Sequence, residues 1–85
     1  MPELSRFLGI IIAMYYRDHP PPHFHAIYGE HEATVNIETG EVNGSLPARV
    51  LGLVQEWRVL HKMELLEAWT LAVAHKPLPN IPPLE

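Results

Sequence analysis

The chain has 85 residues, of which 47% are apolar and 19% charged, and its formal charge is −4. A chain this short makes one small domain that buries only about 60–65% of the surface its unfolded form exposes, which excludes a second domain, and the composition excludes a collagen-like repeat or a coiled-coil rod. The acidic balance argues against nucleic acid as the primary ligand, although protonating all six histidines would reverse the sign.

The first apolar run, Phe7 to Tyr16, is rich in Ile and Tyr, too short for a buried helix, and closed by Arg17-Asp18-His19-Pro20. The pattern predicts a single strand, apolar on both faces. At ten residues the run is about half the length of a membrane-spanning helix. Glu3 and Arg6 before it balance one another, unlike the basic head of an export signal, so the expected location is the cytoplasm, away from membranes.

His23 to Tyr28 and Glu32 to Glu38 form the next pair of strands. Ala33, Val35 and Ile37 alternate with Glu32, Thr34, Asn36 and Glu38 in a period of two, the mark of a half-buried strand. A two-residue turn at Gly29-Glu30 sets Tyr28 opposite His31, Ala26 opposite Ala33 and Phe24 opposite Val35, gathering the apolar partners on one face. A second turn at Thr39-Gly40 would set Val42 opposite Ile37 in a short last strand, ended by Asn43-Gly44.

From Leu46 the period becomes helical: Val50, Leu53, Val54, Trp57 and Leu60 form one stripe, with Ser45 or Leu46 as the cap and Pro47 in the first turn. Leu65, Leu66, Trp69, Ala72 and Val73 continue the pattern, which favours two helices over one bent helix although no Gly or Pro separates them. Both tryptophans are in phase with their stripes and are expected in the core. The tail from Pro77 to Glu85 carries four prolines and should run extended, with Leu78, Ile81 and Leu84 as anchors. The expected architecture is α+β: an antiparallel sheet of three to four strands in the N-terminal half, covered by one or two C-terminal helices. Its domain would span residues 1–76, with 77–85 as an extended proline-rich tail.

The segment Asp18-His19-Pro20-Pro21-Pro22-His23-Phe24-His25 holds three of the six histidines around three consecutive prolines. The prolines favour a stiff extended backbone that presents His19 and His23 at little entropic cost. In the hairpin register His25 opposes Thr34 and His23 opposes Asn36, which places both imidazoles on the polar face and predicts that they are accessible. Asp18, His19, His23, His25, Thr34 and Asn36 are therefore the candidate binding residues.

Four readings of this loop stand open. As a metal site, zinc above all, His-x-His on one strand face supplies two imidazoles, with His19, Asp18, His31 or Glu32 to complete the set; the candidate ligands are His19, His23 and His25. As an acid–base site, two histidines near Tyr15 or Tyr16 and Arg17 would cleave RNA by transphosphorylation without a metal. As scaffolding, the rings would hydrogen-bond nearby carbonyls or Thr34 and Asn36 and only fix the hairpin. As a recognition surface, the stiff loop and hairpin would bind another protein chain. No cysteine is present, which removes disulfides, thiolate zinc sites and cysteine nucleophiles. Glycine-rich phosphate loops, Gly-x-Ser-x-Gly elbows and His-Glu-x-x-His helices are missing as well, so no catalytic residue is assigned.

Met1-Pro2-Glu3-Leu4-Ser5-Arg6-Phe7 with Gly9-Ile10, Met14-Tyr15-Tyr16, His19-Pro20-Pro21-Pro22-His23-Phe24-His25-Ala26, Tyr28-Gly29-Glu30 and Ile37-Glu38-Thr39-Gly40-Glu41-Val42 form a specific set of motifs, joined by Leu46-Pro47, Glu56-Trp57, Leu60-His61, Glu64-Leu65-Leu66 and Trp69, that spans essentially the whole chain. In these the chain resembles the small bacterial proteins of the domain of unknown function 4160 family. The resemblance implies one half of a two-gene unit, often beside a protein of the domain of unknown function 2442 family, in an organisation similar to toxin–antitoxin pairs. It implies a small protein partner encoded nearby rather than a reaction. The resulting expectation is a protein-binding module that uses the loop 18–25 and the adjoining hairpin face, with a histidine-dependent RNA-processing enzyme, with or without a bound metal, as the alternative.

Overall fold

A computed structural model describes residues 2–85; Met1, the first residue of the expected domain, lies outside the described residues. The architecture is α+β, with strands β1 (Glu3–Phe7), β2 (Ile10–Ala13), β3 (His23–Tyr28), β4 (His31–Asn36) and β5 (Val42–Gly44) followed by helices α1 (Ala48–Leu60) and α2 (Lys62–Val73). The five strands form one antiparallel sheet in sequence order, each pairing with the next. The expected three to four strands are thus corrected to five.

The extra strand comes from the first apolar run, which is not one strand from Phe7 to Tyr16. A tight turn at Leu8-Gly9 cuts it, and Phe7 pairs back onto Ile10 and Arg6 onto Ile11. Both turn residues have positive φ, 50° and 80°, the requirement of the mirror-image turn whose twist matches that of the flanking strands. An added Cβ at Gly9 would meet the Tyr28 ring at 3.3 Å, so this glycine serves conformation and space together. Leu8 is a poor resident of such a turn and stands 61% exposed, which is why the run reads as uninterrupted.

The β3–β4 hairpin has the expected register, with Phe24 opposite Val35, Ala26 opposite Ala33 and Tyr28 opposite His31. The next pairing differs: Val42 lies opposite Val35, not Ile37, and Asn43 and Gly44 continue the strand as partners of Thr34 and Ala33. Side-chain chemistry explains the shift. Asn36 Oδ1 accepts the N–H groups of Glu38 and Thr39, winding residues 37–40 into a longer loop that closes through Asn36 N–H donating to Glu41 O. Ile37 leaves the ladder, is fully buried, and donates its N–H to Pro22 O. Helix α1 holds the loop from the other side, as Arg58 donates to Ile37 O and Gln55 Nε2 donates to Gly40 O. Arg58 thus serves the loop and does not pair with a helix carboxylate.

The core lies between one sheet face and the two helices. Leu4, Phe7, Ile10, Ile12, Met14, Phe24, Ala26 and Val35 meet Val50, Val54, Trp57, Leu65, Ala68, Trp69 and Ala72. Trp57 is fully buried, with ring centroids 5.6 Å from Phe7 and 5.8 Å from Phe24. Two helices are present, as the pattern favoured. Pro47 occupies the cap position in place of Ser45 or Leu46, and the chain breaks at His61, where φ −117° and ψ 26° end one helix and begin the next. Leu60 and Val73, the last residues of their helices, leave their stripes and stand 63% and 55% exposed.

The tail after α2 has no regular secondary structure and lies on the body. Ile81 is buried and donates its N–H to Leu4 O, while Trp57 Nε1 donates to Pro82 O. Leu78 and Leu84 pack against the same core.

Candidate functional site: the aspartate–histidine loop

The face of the sheet turned away from the helices carries His23, His25, Thr34 and Asn36, paired as their alternation requires: His23 opposite Asn36 and His25 opposite Thr34. The rings do not project freely, however. The side chains of His23 and His25 are only 17% and 13% exposed, because the segment between β2 and β3 folds back over this face. Its turn is set by Arg17, with φ 58° and an N–H donating to Ala72 O. Tyr15 then lies edge-on to His25 at 4.4 Å, and Trp69 from α2 stands 5.2 Å from His23. The expectation of accessible imidazoles is corrected to half-buried ones. The prolines do not form one extended rod either: the backbone bends at Pro20 and Pro21.

Asp18 is the hub of the cluster. Its Oδ1 accepts the His19 backbone N–H at 2.8 Å, while Oδ2 lies 2.9 Å from His23 Nε2 and 3.4 Å from His25 Nε2. Each ring is held from its other side as well. His23 Nδ1 donates to Pro21 O at 2.8 Å, and His25 Nδ1 lies 3.3 Å from Glu32 Oε2. Partial burial disfavours the Asp18 carboxylate, but the His19 N–H and the two imidazoles outweigh it and draw its pKa below the ordinary value of 3.8. One ligand atom from each of Asp18, His23 and His25 lies within 4.8 Å of the others, a donor set of imidazole nitrogen and carboxylate oxygen that suits a divalent transition ion. Among the described residues, His19 contributes its backbone to this cluster and its side chain elsewhere.

That other place is a shallow depression of about 240 Å³ beside the cluster, between the loop and the β4–β5 hairpin, lined by His19, Pro20, Pro21, His23, Thr34, Asn36, Glu41 and Asn43. His23 is common to the cluster and the depression. All six candidate binding residues therefore fall in one region, divided into an Asp18–His23–His25 cluster and a depression walled by His19, Thr34 and Asn36. Sequence reasoning missed Glu41 and Asn43. The signal was present but hidden by the register: pairing Val42 with Val35 puts Asn43 opposite Thr34, on the same polar face. Trp69 at the edge of the site was equally out of reach, because its helical phase marks it only as core.

No curated protein and no solved structure matches the chain. A family model does match over residues 9–70, from the first hairpin turn through the histidine loop to the third turn of α2. With most of its length and all of its histidine cluster inside that match, the chain belongs to the family of the domain of unknown function DUF4160.

Proposed function

We propose that this protein is a binding module, one component of a two-protein unit of the toxin–antitoxin kind, and that it seats a segment of its protein partner in the depression beside the histidine loop. The observation that carries this reading is the depression itself. At about 240 Å³ it is smaller than the roughly 300–1,000 Å³ of small-molecule sites, and it fits one or two side chains of a docked chain. Its walls are held in advance: Asn36 by the loop it caps, and His23 by the Pro21 carbonyl. Little ordering is then left for binding to impose. Glu41 in the lining and Asp18 and Glu32 nearby favour a cationic or amide-bearing side chain and weigh against a phosphodiester.

Blocking the depression with Thr34→Arg and Glu41→Arg tests the reading by co-purification and titration with the protein encoded by the adjacent gene. The expected result is a loss of at least about tenfold in affinity with a nearly unchanged melting temperature. An affinity equal to that of the unmodified protein would remove this reading. Histidine-dependent RNA processing is the second reading, supported by the Asp18 carboxylate set between two imidazoles, an arrangement able to hold and pass a proton. It requires cleavage of single-stranded RNA with a bell-shaped pH profile, abolished in His25→Ala.

A further inference from the structure

The hydrogen-bond chemistry of the aspartate–histidine cluster is incomplete as protein alone. A carbonyl oxygen can only accept, so the 2.8 Å contact between His23 Nδ1 and Pro21 O places a proton on Nδ1. His25 lies between two carboxylates, with Nδ1 3.3 Å from Glu32 Oε2 and Nε2 3.4 Å from Asp18 Oδ2, and a neutral ring has a proton for only one of them. In neutral His23, Nε2 then carries a lone pair that faces Asp18 Oδ2, itself an acceptor, at 2.9 Å. Acceptors outnumber protons at this point, where a positive charge is required.

We propose that Asp18 Oδ2, His23 Nε2 and His25 Nε2 bind a divalent first-row transition ion of the zinc type, with a further coordination position left for water. The spacing supports this. Bonds of about 2.0–2.1 Å at tetrahedral angles separate neighbouring ligand atoms by about 3.3 Å; the two distances from Asp18 Oδ2 to the rings, 2.9 and 3.4 Å, bracket that value, and all three ligand atoms lie within 4.8 Å of one another. The surroundings have the form of a metal site's outer layer, in which each ligand is oriented by a group behind it. Pro21 O orients His23, Glu32 orients His25, and the His19 N–H occupies Asp18 Oδ1 so that Oδ2 alone faces the cluster. A single dication satisfies the convergence with both rings uncharged, whereas protons would make His23 an imidazolium, donating to Pro21 O and Asp18 Oδ2, with its ring centroid 5.4 Å from that of His25. The composition admits only nitrogen and oxygen donors, since no cysteine is present. This inference does not rest on partner binding, and either can fail without the other.

The test uses the full chain, stripped with a chelator and titrated with Zn²⁺ and Co²⁺ at neutral pH. One equivalent of Zn²⁺ should bind per chain, and Co²⁺ should give the visible bands of a four- or five-coordinate nitrogen–oxygen site. In long-range ¹⁵N spectra the ion should shift Nε2, not Nδ1, of His23 and His25. Glu32→Gln, which removes a positioning group and no ligand, should weaken Zn²⁺ binding about 10–100-fold. Asp18→Asn and His25→Ala should weaken it further, while His31→Ala, on the opposite sheet face, should leave it unchanged. Melting curves of the stripped variants confirm that each is folded. Equal affinity in Asp18→Asn, His25→Ala and the unmodified chain would overturn the proposal, as would an Nε2–H resonance on both rings that persists with Zn²⁺ present, the sign of a site filled by protons.

Discussion

Asp18 illustrates how one short side chain organises a region. It accepts a backbone N–H from the next residue and faces two imidazoles delivered by alternate positions of β3. In metal-stripped protein these partners make the folded state hold the Asp18 proton less tightly than the unfolded chain does. The stabilisation is complete above the ordinary carboxylate value and fades as the pH falls through the depressed one. The His19 backbone N–H and the His23 and His25 rings face this carboxylate, with Glu32 beyond His25. Chemical unfolding from neutral to acidic pH should therefore show a steeper loss of stability in the unmodified chain than in Asp18→Asn. Parallel curves would mean that the carboxylate contributes nothing on the acid limb.

Among the secondary-structure elements, the two short connections of the sheet show opposite solutions to the same geometric demand. Gly29-Glu30 opens with a glycine at φ 59°, and the β3–β4 hairpin was legible because a glycine stood where the turn needed one. Leu8-Gly9 places a leucine at φ 50°, which an L-residue with a bulky side chain adopts at a cost. Leu8→Asn supplies a residue at ease in that conformation and also removes an exposed apolar side chain. It should stabilise the fold by about 0.5–1 kcal/mol, read as a higher urea midpoint with an unchanged slope. A lower midpoint would show that Leu8 makes a contact worth more than the turn strain. At the far edge, Gly44 has φ 111°, and a Cβ there would lie 2.5 Å from Glu32 O, so β5 approaches β4 too closely for any other residue. The same strand brings Asn43 to the depression.

Across the whole molecule, the extended tail acts as part of the core. Ile81 N–H pairs with the first strand, and Pro82 O satisfies the indole of Trp57, a buried donor that would otherwise be stranded. The tail thus ties the last residues of the chain to both the sheet and α1. Ile81→Ala should cost about 2–4 kcal/mol, far more than a substitution in a loose terminus, and should lower the melting temperature cooperatively in calorimetry. A change within about 0.5 kcal/mol would show the tail to be dispensable. Ser5 marks the opposite case: among the described residues its buried Oγ has no partner, beside an irregularity in the β1–β2 register.

Local pattern was enough to read the α+β class, the β3–β4 register, both helices and the apolar anchors of the tail, because each depends on a period or turn residue contained within a few positions. The candidate residues on the polar face followed from the same period of two. Three features lay beyond it. The first strand was hidden because the turn that creates it uses a leucine. The last register was misread because Asn36 bonds to its own loop and Ile37 is drawn into the core by contacts with distant segments. The half-buried state of the imidazoles depends on the return of residues 14–22 across the sheet and on Trp69 arriving from α2. Adjacency along the chain suggested the histidines as a group; their convergence on a single carboxylate oxygen required the chain to fold back, a relation that no spacing rule encodes.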